Sequence, residues 1–272
     1  MLYEKIQETV QYIQARIADS PTIGIILGSG LGQLADEVQT EVAIPYAEIP
    51  NFPVITVKGH KGELLFGKIG NKNVVMMSGR FHYYEGYDMQ QVTFPVRVMK
   101  ALGVETLIVS NAAGGMNETF RIGDIMFIQD LINLFPEHPL RGPNDERLGV
   151  RFPDMSEPFS LEYIGIADKI AIDLGYEVRK GVYVGLQGPT FETRAEYHWL
   201  HTIGGDAVGM STVPEVIVAI HSGMKVFAAS IITDLGIREE LNTITHEEVL
   251  QAAHEAAPKL AAIVRKLIAE IP

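Results

Sequence analysis

The stretch Asn73–Asp88, NVVMMSGRFHYYEGYD, decides the architecture. As far as Ser78 it is dominated by Val and Met, the composition of a strand buried on both faces. The run stops at Gly79, and Arg80, His82, Tyr83, Tyr84, Glu85 and Tyr87 follow closely. A helix is expected next, over Gln90–Leu102. Strand, polar turn and helix form the unit of an α/β protein, whose ligands bind beyond the strand ends. The turn suits an anion such as phosphate, because Arg offers forked donors and His adds another. Its tyrosines bring rings for packing and hydroxyls for hydrogen bonds. A solvated loop stapled down by its aromatics is the other reading of this segment alone.

The same unit recurs outward along the chain. Leu2, Ile6, Val10, Ile13 and Ile17 trace one face of a first helix that ends before Pro21. Strands are expected at Thr22–Leu27, Val54–Val57, Leu64–Ile69, Val74–Met77, Thr106–Ser110, Asp124–Ile132, Gly181–Leu186 and Val226–Ile232. Further helices are expected at Leu161–Leu174, Arg194–Thr202, Val213–Ser222 and His246–Glu270. This interleaving, without repeat or low-complexity linker, predicts a single α/β domain over residues 1–272, with a largely buried central sheet flanked by helices. The longest irregular region, Asn133–Pro158, holds five prolines and charged and aromatic residues. Loops of that length are functional or lie at interfaces.

Composition narrows the partners. With 34 acidic against 22 basic residues the net charge is −12, which opposes nucleic acid and anionic membranes. An anionic ligand must then be drawn in by a local basic pocket. The absence of cysteine excludes disulfides, thiolate metal sites and a cysteine nucleophile. Neither the eight histidines nor the scattered carboxylates have ligand spacing, so no metal site is expected. The N-terminal segment mixes charged and apolar residues, unlike a signal peptide, and no apolar run reaches membrane-spanning length. A soluble, cytoplasmic protein is expected.

Several strands end in ligand-like residues. Gly28-Ser29-Gly30-Leu31-Gly32 follows the first strand and precedes a possible helix over residues 31–38. It reads as an anion loop or as a simple tight turn, and Gln33 stands where a dinucleotide fingerprint needs glycine. His60 sits between glycines at an expected hairpin. SNAAGG (110–115), QGPTFET (187–193), VGMSTVPE (208–215) and IITD (231–234) close further strands with small or polar residues. Strand ends on one edge of a sheet converge in space, so these segments are expected to share a site. Thr245 and Glu248 form a capping box at the last helix, which leaves His246 free for another role.

In order, ILGSGLG (26–32), GHKGEL, GRFHYYEGY, FPVRV, SNAAGG, LRGPNDER, GPTFET, VGMSTVPEV and THEEVL (245–250) resemble the trimeric purine nucleoside phosphorylases over nearly the whole chain. The resemblance implies one α/β domain on a mixed sheet and a homotrimer. It also implies reversible phosphorolysis of purine ribo- and deoxyribonucleosides to free base and α-(deoxy)ribose 1-phosphate. Inorganic phosphate would be co-substrate, and no cofactor is implied. Carried over by residue, phosphate would be held by Ser29, Arg80, His82, the backbone of Ala112, and Ser211, with His60 nearby. Ribose would meet Tyr84, Met210 and His246, the last reaching the 5′-hydroxyl. The purine would lie against Phe191 and Val249, with Glu192 and Asp234 along its polar edge. Catalysis would fall to His82, Glu192, Asp234 and His246, and Phe152 would be lent to a neighbouring subunit's site.

One position departs from the family's commonest pattern. Members selective for 6-oxopurines usually carry asparagine where this chain has Asp234. An ionised aspartate only accepts hydrogen bonds, which favours a 6-amino group, as in the related methylthioadenosine phosphorylases. Those relatives carry a second aspartate where this chain has Gly236, and lack counterparts of Glu192 and His246. Inosine and guanosine are therefore expected as main substrates, with some adenosine turnover. A 6-aminopurine phosphorylase is the alternative. Outside this class, an NAD-dependent oxidoreductase rests only on Gly28–Gly32. A non-catalytic nucleoside binder is opposed by the complete set Arg80, His82, Tyr84, Glu192 and His246.

Overall fold

The structure, a computed structural model, describes residues 1–28, 32–54, 62–237 and 245–272. Among them are nine strands: β1 (Ile23–Ile26), β2 (Gln39–Pro45), β3 (Glu63–Ile69), β4 (Lys72–Ser78), β5 (Thr106–Gly115), β6 (Ile125–Asn133), β7 (Val178–Gly185), β8 (Ala207–Gly209) and β9 (Lys225–Leu235). Six α-helices accompany them: α1 (Leu2–Gln14), α2 (Met89–Leu102), α3 (Leu161–Asp173), α4 (Arg194–Thr202), α5 (Val213–His221) and α6 (His246–Glu270). The strands form one mixed sheet in the order β2-β3-β4-β1-β5-β8-β7-β6-β9. This is the α/β class with a central sheet that the interleaved pattern predicts.

β1 is short, wholly buried and parallel to both neighbours, β4 and β5. Its β-branched run has no polar face because both of its faces are buried in the core. β2, β3 and β4 extend the sheet as an antiparallel meander. On the other side β5 pairs with both β8 and β9, and β7 and β6 complete the circuit. Thus β5, β8, β7, β6 and β9 close on themselves, which removes open edges from that half of the sheet.

Several expectations are corrected. β5 does not close at Ser110 but runs through the small residues of SNAAGG to Gly115. Small side chains read as a turn in sequence, yet here they let β5 curve between two partners. At Gly114 a Cβ would lie 3.0 Å from both the Asp234 carboxylate and the Tyr197 hydroxyl. β8 runs antiparallel to β5. The site segments therefore meet by closure of the ring, with part of β5 contributing from mid-strand, and not along one edge of strand ends. β2 is mostly exposed and β8 has three residues, so neither carries an apolar period that reveals a strand. Val54 lies outside any strand, and residues 55–57 lie outside the described residues. The helix expected at 31–38 is a 3₁₀ run over Gly32–Glu37, and α1 ends at Gln14, with Ile17 packing on the core beyond it.

Candidate active site

Arg80, His82 and Tyr84, just after β4, face a cavity of about 290 Å³. Its other walls come from Asn111–Gly114 on β5, Phe191 and Glu192 after β7, Met210 and Ser211 after β8, Asp234 on β9, and His246 and Val249 on α6. Most residues expected of the site therefore come together. Ser29 and His60 lie outside the described residues. Phe152 does not border this cavity. It is 87% exposed and lines a separate hollow of about 540 Å³ with His138, Arg141 and Arg151.

One end of the cavity is cationic. Arg80 is buried, and its Nε donates to Glu215 Oε1 at 2.9 Å while Nη1 donates to Ser211 Oγ at 3.0 Å. Its Nη2 has no hydrogen-bond partner among the described residues, nor has Asn111 Oδ1. An unpaired buried donor is costly, so Nη2 suits an acceptor atom of a ligand. Glu215 also accepts from the Thr212 N–H through its other oxygen, at 3.1 Å. Thr212 needs that support: its φ of 69° and ψ of −55° form a γ-turn closed by Val213 N–H to Ser211 O, 2.7 Å. A non-glycine residue in this region is strained by about 1–3 kcal/mol. The strained turn aims Ser211 toward Arg80, and Asn111 Nδ2 braces it by donating to Thr212 Oγ1 at 2.8 Å.

The opposite end is anionic. The β5–β9 register skips Thr233, a bulge that lets Thr233 and Asp234 both border the cavity. Thr233 Oγ1 donates to Asp234 Oδ1 at 3.1 Å, and Tyr197 Oη donates to Asp234 Oδ2 at 3.1 Å. Burial pushes the Glu192 carboxyl up to about 7, helped by the charges of Asp234 and Glu196. The same burial, with Asp234 and Glu192 beside it, holds the Tyr197 hydroxyl far above its ordinary value. It therefore remains a donor.

Between the ends, His82 stacks on Tyr84 with ring centres 4.7 Å apart. Glu85 Oε1 receives the His82 backbone N–H at 2.8 Å and lies 3.1 Å from Nδ1. That contact assigns the proton to Nδ1, because an ionised carboxylate only accepts. Burial, then the charge of Glu85, raises the Tyr84 hydroxyl to about 12. Among the described residues no group of three His, Asp or Glu side chains could hold a metal ion.

Three residues were missed as site members. Glu215 carried a signal, since Thr212-Val-Pro-Glu215 fits a capping box, but its bond to Arg80 spans 135 residues. Thr233 was named only within the polar strand end IITD, without a role, and Tyr197 carried no signal. Tyr197 lies within a helix with an ordinary apolar face, and nothing local marks the bulge at Thr233.

Comparison with known proteins identifies the family. Residues 22–269 match the model of the Phosphorylase superfamily. The chain is 52% identical over 263 residues to a purine nucleoside phosphorylase 1 of Geobacillus stearothermophilus, covering 97% of this chain and 96% of that protein. It is 50% identical to the purine nucleoside phosphorylase of Bos taurus, covering 99% and 96% respectively. Among solved structures, Schistosoma mansoni purine nucleoside phosphorylase in complex with adenosine superposes with a TM-score of 0.94 at 43% identity, covering 99% of this chain and 98% of that one. A structure of the Schistosoma mansoni enzyme with inosine gives 0.94 at 42% identity, covering 99% and 97%.

Proposed function

The chain belongs to the phosphorylase superfamily and, within it, to the purine nucleoside phosphorylases, and we propose that its cavity holds phosphate at the Arg80 end, the purine at the Glu192–Asp234 end and the ribose between. The reaction is reversible phosphorolysis of purine nucleosides to free base and pentose 1-phosphate. The observation that carries the placement is the buried Arg80 guanidinium, fixed on one side by Glu215 and with Nη2 directed to no protein partner among the described residues. A second anion suits that position, where Nη2 is a buried donor still to be satisfied.

Phosphate is already an anionic nucleophile, so the site's task is placement. Arg80, Ser211 and the backbone at Ala112 would grip three of its oxygens. His82, with its Nδ1 proton directed to Glu85, borders the same end of the cavity and would help position the attacking oxygen. The sugar turns cationic as the C1′–N9 bond breaks, and phosphate on the opposite face stabilises it. Holding both reactants in line accounts for several powers of ten in rate. Tyr84, Met210 and His246 border the ribose position, His246 reaching the 5′-hydroxyl. Phe191 and Val249 would pack the base, with Glu192 and Asp234 on its polar edge. Ser29 and His60 complete the phosphate side on the family resemblance alone.

Selectivity follows from protonation. Ionised Glu192 accepts from N1–H of a 6-oxopurine, so inosine and guanosine are the favoured substrates once pH exceeds about 7. No helix among the described residues is long and apolar enough to cross a membrane. The remaining parts of the proposal are a cytoplasmic homotrimer with exposed Phe152 completing a neighbour's site, and no group required beyond inorganic phosphate. Initial rates of base release from inosine, guanosine, adenosine and methylthioadenosine, with and without phosphate, test it. Phosphate-dependent release led by inosine or guanosine is expected. Release led by adenosine throughout the neutral range would overturn the selectivity.

A further inference from the structure

We propose that Tyr197 is the positioning residue that decides which of two carboxyl groups carries a proton, and so whether the site reads a 6-amino or a 6-oxo purine. The inference rests on the reading that Glu192 and Asp234 face the base.

The tyrosine is held with little freedom. Its ring packs in a small core cluster with Met116, Val184, Leu200 and Val208. The ring also lies over Gly236, where a Cβ would come within 2.1 Å of it. The residue borders the cavity, and its hydroxyl meets Asp234 Oδ2 at 3.1 Å. Gly114 leaves room for that meeting, since a Cβ there would stand 3.0 Å from both groups.

A phenol has a single proton to donate. Donated to Asp234, with Thr233 donating to the other oxygen, it stabilises the ionised form of that carboxylate. Burial is what chiefly raises Glu192; the Tyr197 hydroxyl would lower it, but its one proton is given to Asp234. Two neighbouring carboxyl groups do not both ionise readily, so the first proton taken up goes to Glu192. Among the described residues, the charged and titratable groups around Glu192 are Asp234 on β9, Glu196 and Tyr197 on α4, and His246 across the cavity on α6.

Purine chemistry converts this arrangement into selectivity. A 6-aminopurine presents an acceptor at N1 and donors on its amino group. Neutral Glu192 and ionised Asp234 are complementary to that pair. A 6-oxopurine presents N1–H, which ionised Glu192 accepts. Tyr197 therefore sets up the 6-amino reading, and loss of the Glu192 proton opens the 6-oxo reading.

The test is kcat/KM for inosine and adenosine in the native enzyme, Tyr197→Phe and Asp234→Asn, from about one pH unit below to one above the Glu192 value of about 7. Both nucleosides share the same phosphate solution, so phosphate ionisation cancels in their ratio. In the native enzyme the inosine-to-adenosine ratio should rise with pH, by up to about tenfold per unit. Tyr197→Phe keeps the ring and should still fold, its melt lowered only by the loss of one buried hydrogen bond. Its adenosine activity should fall about tenfold or more relative to inosine, because Asp234 then loses the Tyr197 donor that stabilises its ionised form. A flat native ratio overturns the proposal without any variant. Equal losses for both substrates in Tyr197→Phe also overturn it, leaving the residue a packing role. Asp234→Asn separates the two levels: it should raise inosine over adenosine, and an unchanged ratio would remove Asp234 from the base and the underlying reading with it.

Discussion

Replacing Glu215 by alanine should expose how the phosphate end of the cavity is balanced. The carboxylate faces the buried Arg80 at 2.9 Å and caps the strained Thr212 N–H at 3.1 Å. Removing one partner of a buried pair costs about 3–5 kcal/mol, because the remaining charge is uncompensated. The orphaned Thr212 N–H adds about 1–3 kcal/mol, partly overlapping with the first loss at the same spot. A loss of about 4–6 kcal/mol is expected, against a total stability typically of about 5–15 kcal/mol. Phosphate should restore much of it. Bound at a hundred times its Kd, phosphate stabilises by about 2.7 kcal/mol, and in the variant it also supplies the counter-charge that Arg80 lacks.

The assay is urea denaturation at fixed protein concentration, with phosphate or with chloride at matched ionic strength. Phosphate should shift the variant's midpoint further than the native one. Arg80→Met combined with Glu215→Ala should cost less than Glu215→Ala alone, because no unpaired charge remains. A single-variant loss below about 1 kcal/mol would refute the reasoning, since values that small belong to exposed pairs. So would a phosphate effect no larger than in the native protein.

Other outcomes follow from the same geometry. His246→Ala should lower kcat/KM for inosine by about three- to tenfold, the worth of one hydrogen bond, and leave a 5′-deoxy analogue nearly unaffected; equal losses would remove His246 from the 5′-hydroxyl. Phe152→Ala should leave folding intact, since the side chain is 87% exposed in one protomer, yet depress turnover. Mixing it with inactive Glu192→Ala subunits should restore activity by making mixed sites, and no recovery on subunit exchange would dismiss the shared site. Buried Arg97 donates to Leu148 O, at 3.1 Å, and Ser222 Oγ, at 2.8 Å, and meets His221 Nδ1 at 2.8 Å, pinning the proline-rich loop. Arg97→Met should lower stability by about 1–3 kcal/mol in thermal melts, through the orphaned acceptors.

What was legible in the sequence was local. The bounds of α4 and α6 follow from Thr193 with Glu196 and Thr245 with Glu248, capping boxes whose partners are three residues apart. The Arg80–Tyr87 turn was legible because a buried strand, a glycine and a cluster of polar and aromatic residues adjoin in the chain. β2 was hidden because an exposed edge strand has no apolar period to detect. β5 was cut short because Asn-Ala-Ala-Gly-Gly has the composition of a turn, and only the ring of strands explains why small residues continue a strand there. The family resemblance named most residues of the cavity, but not how they are held. Glu215 acts across 135 residues and Tyr197 across 37, distances at which side-chain type alone carries no signal.

The two ends of the cavity solve one problem with opposite charges. Each buries ionisable groups that would be unstable alone. At the phosphate end the guanidinium is neutralised by Glu215, yet Nη2 is left with no described partner, so substrate adds an interaction without first breaking one. At the base end two carboxyl groups face a single phenolic proton, so not every ionised form is equally served, and the site is left sensitive to what the substrate donates. With a net charge of −12, long-range attraction cannot select phosphate, and beyond a Debye length of about 8 Å such a field is screened in any case. Recognition must come from contact. That is why the residues with most to hold in place, Thr212 and Glu215 at one end and Tyr197 at the other, are buried, and why the departure at Asp234 has to be read together with the tyrosine behind it.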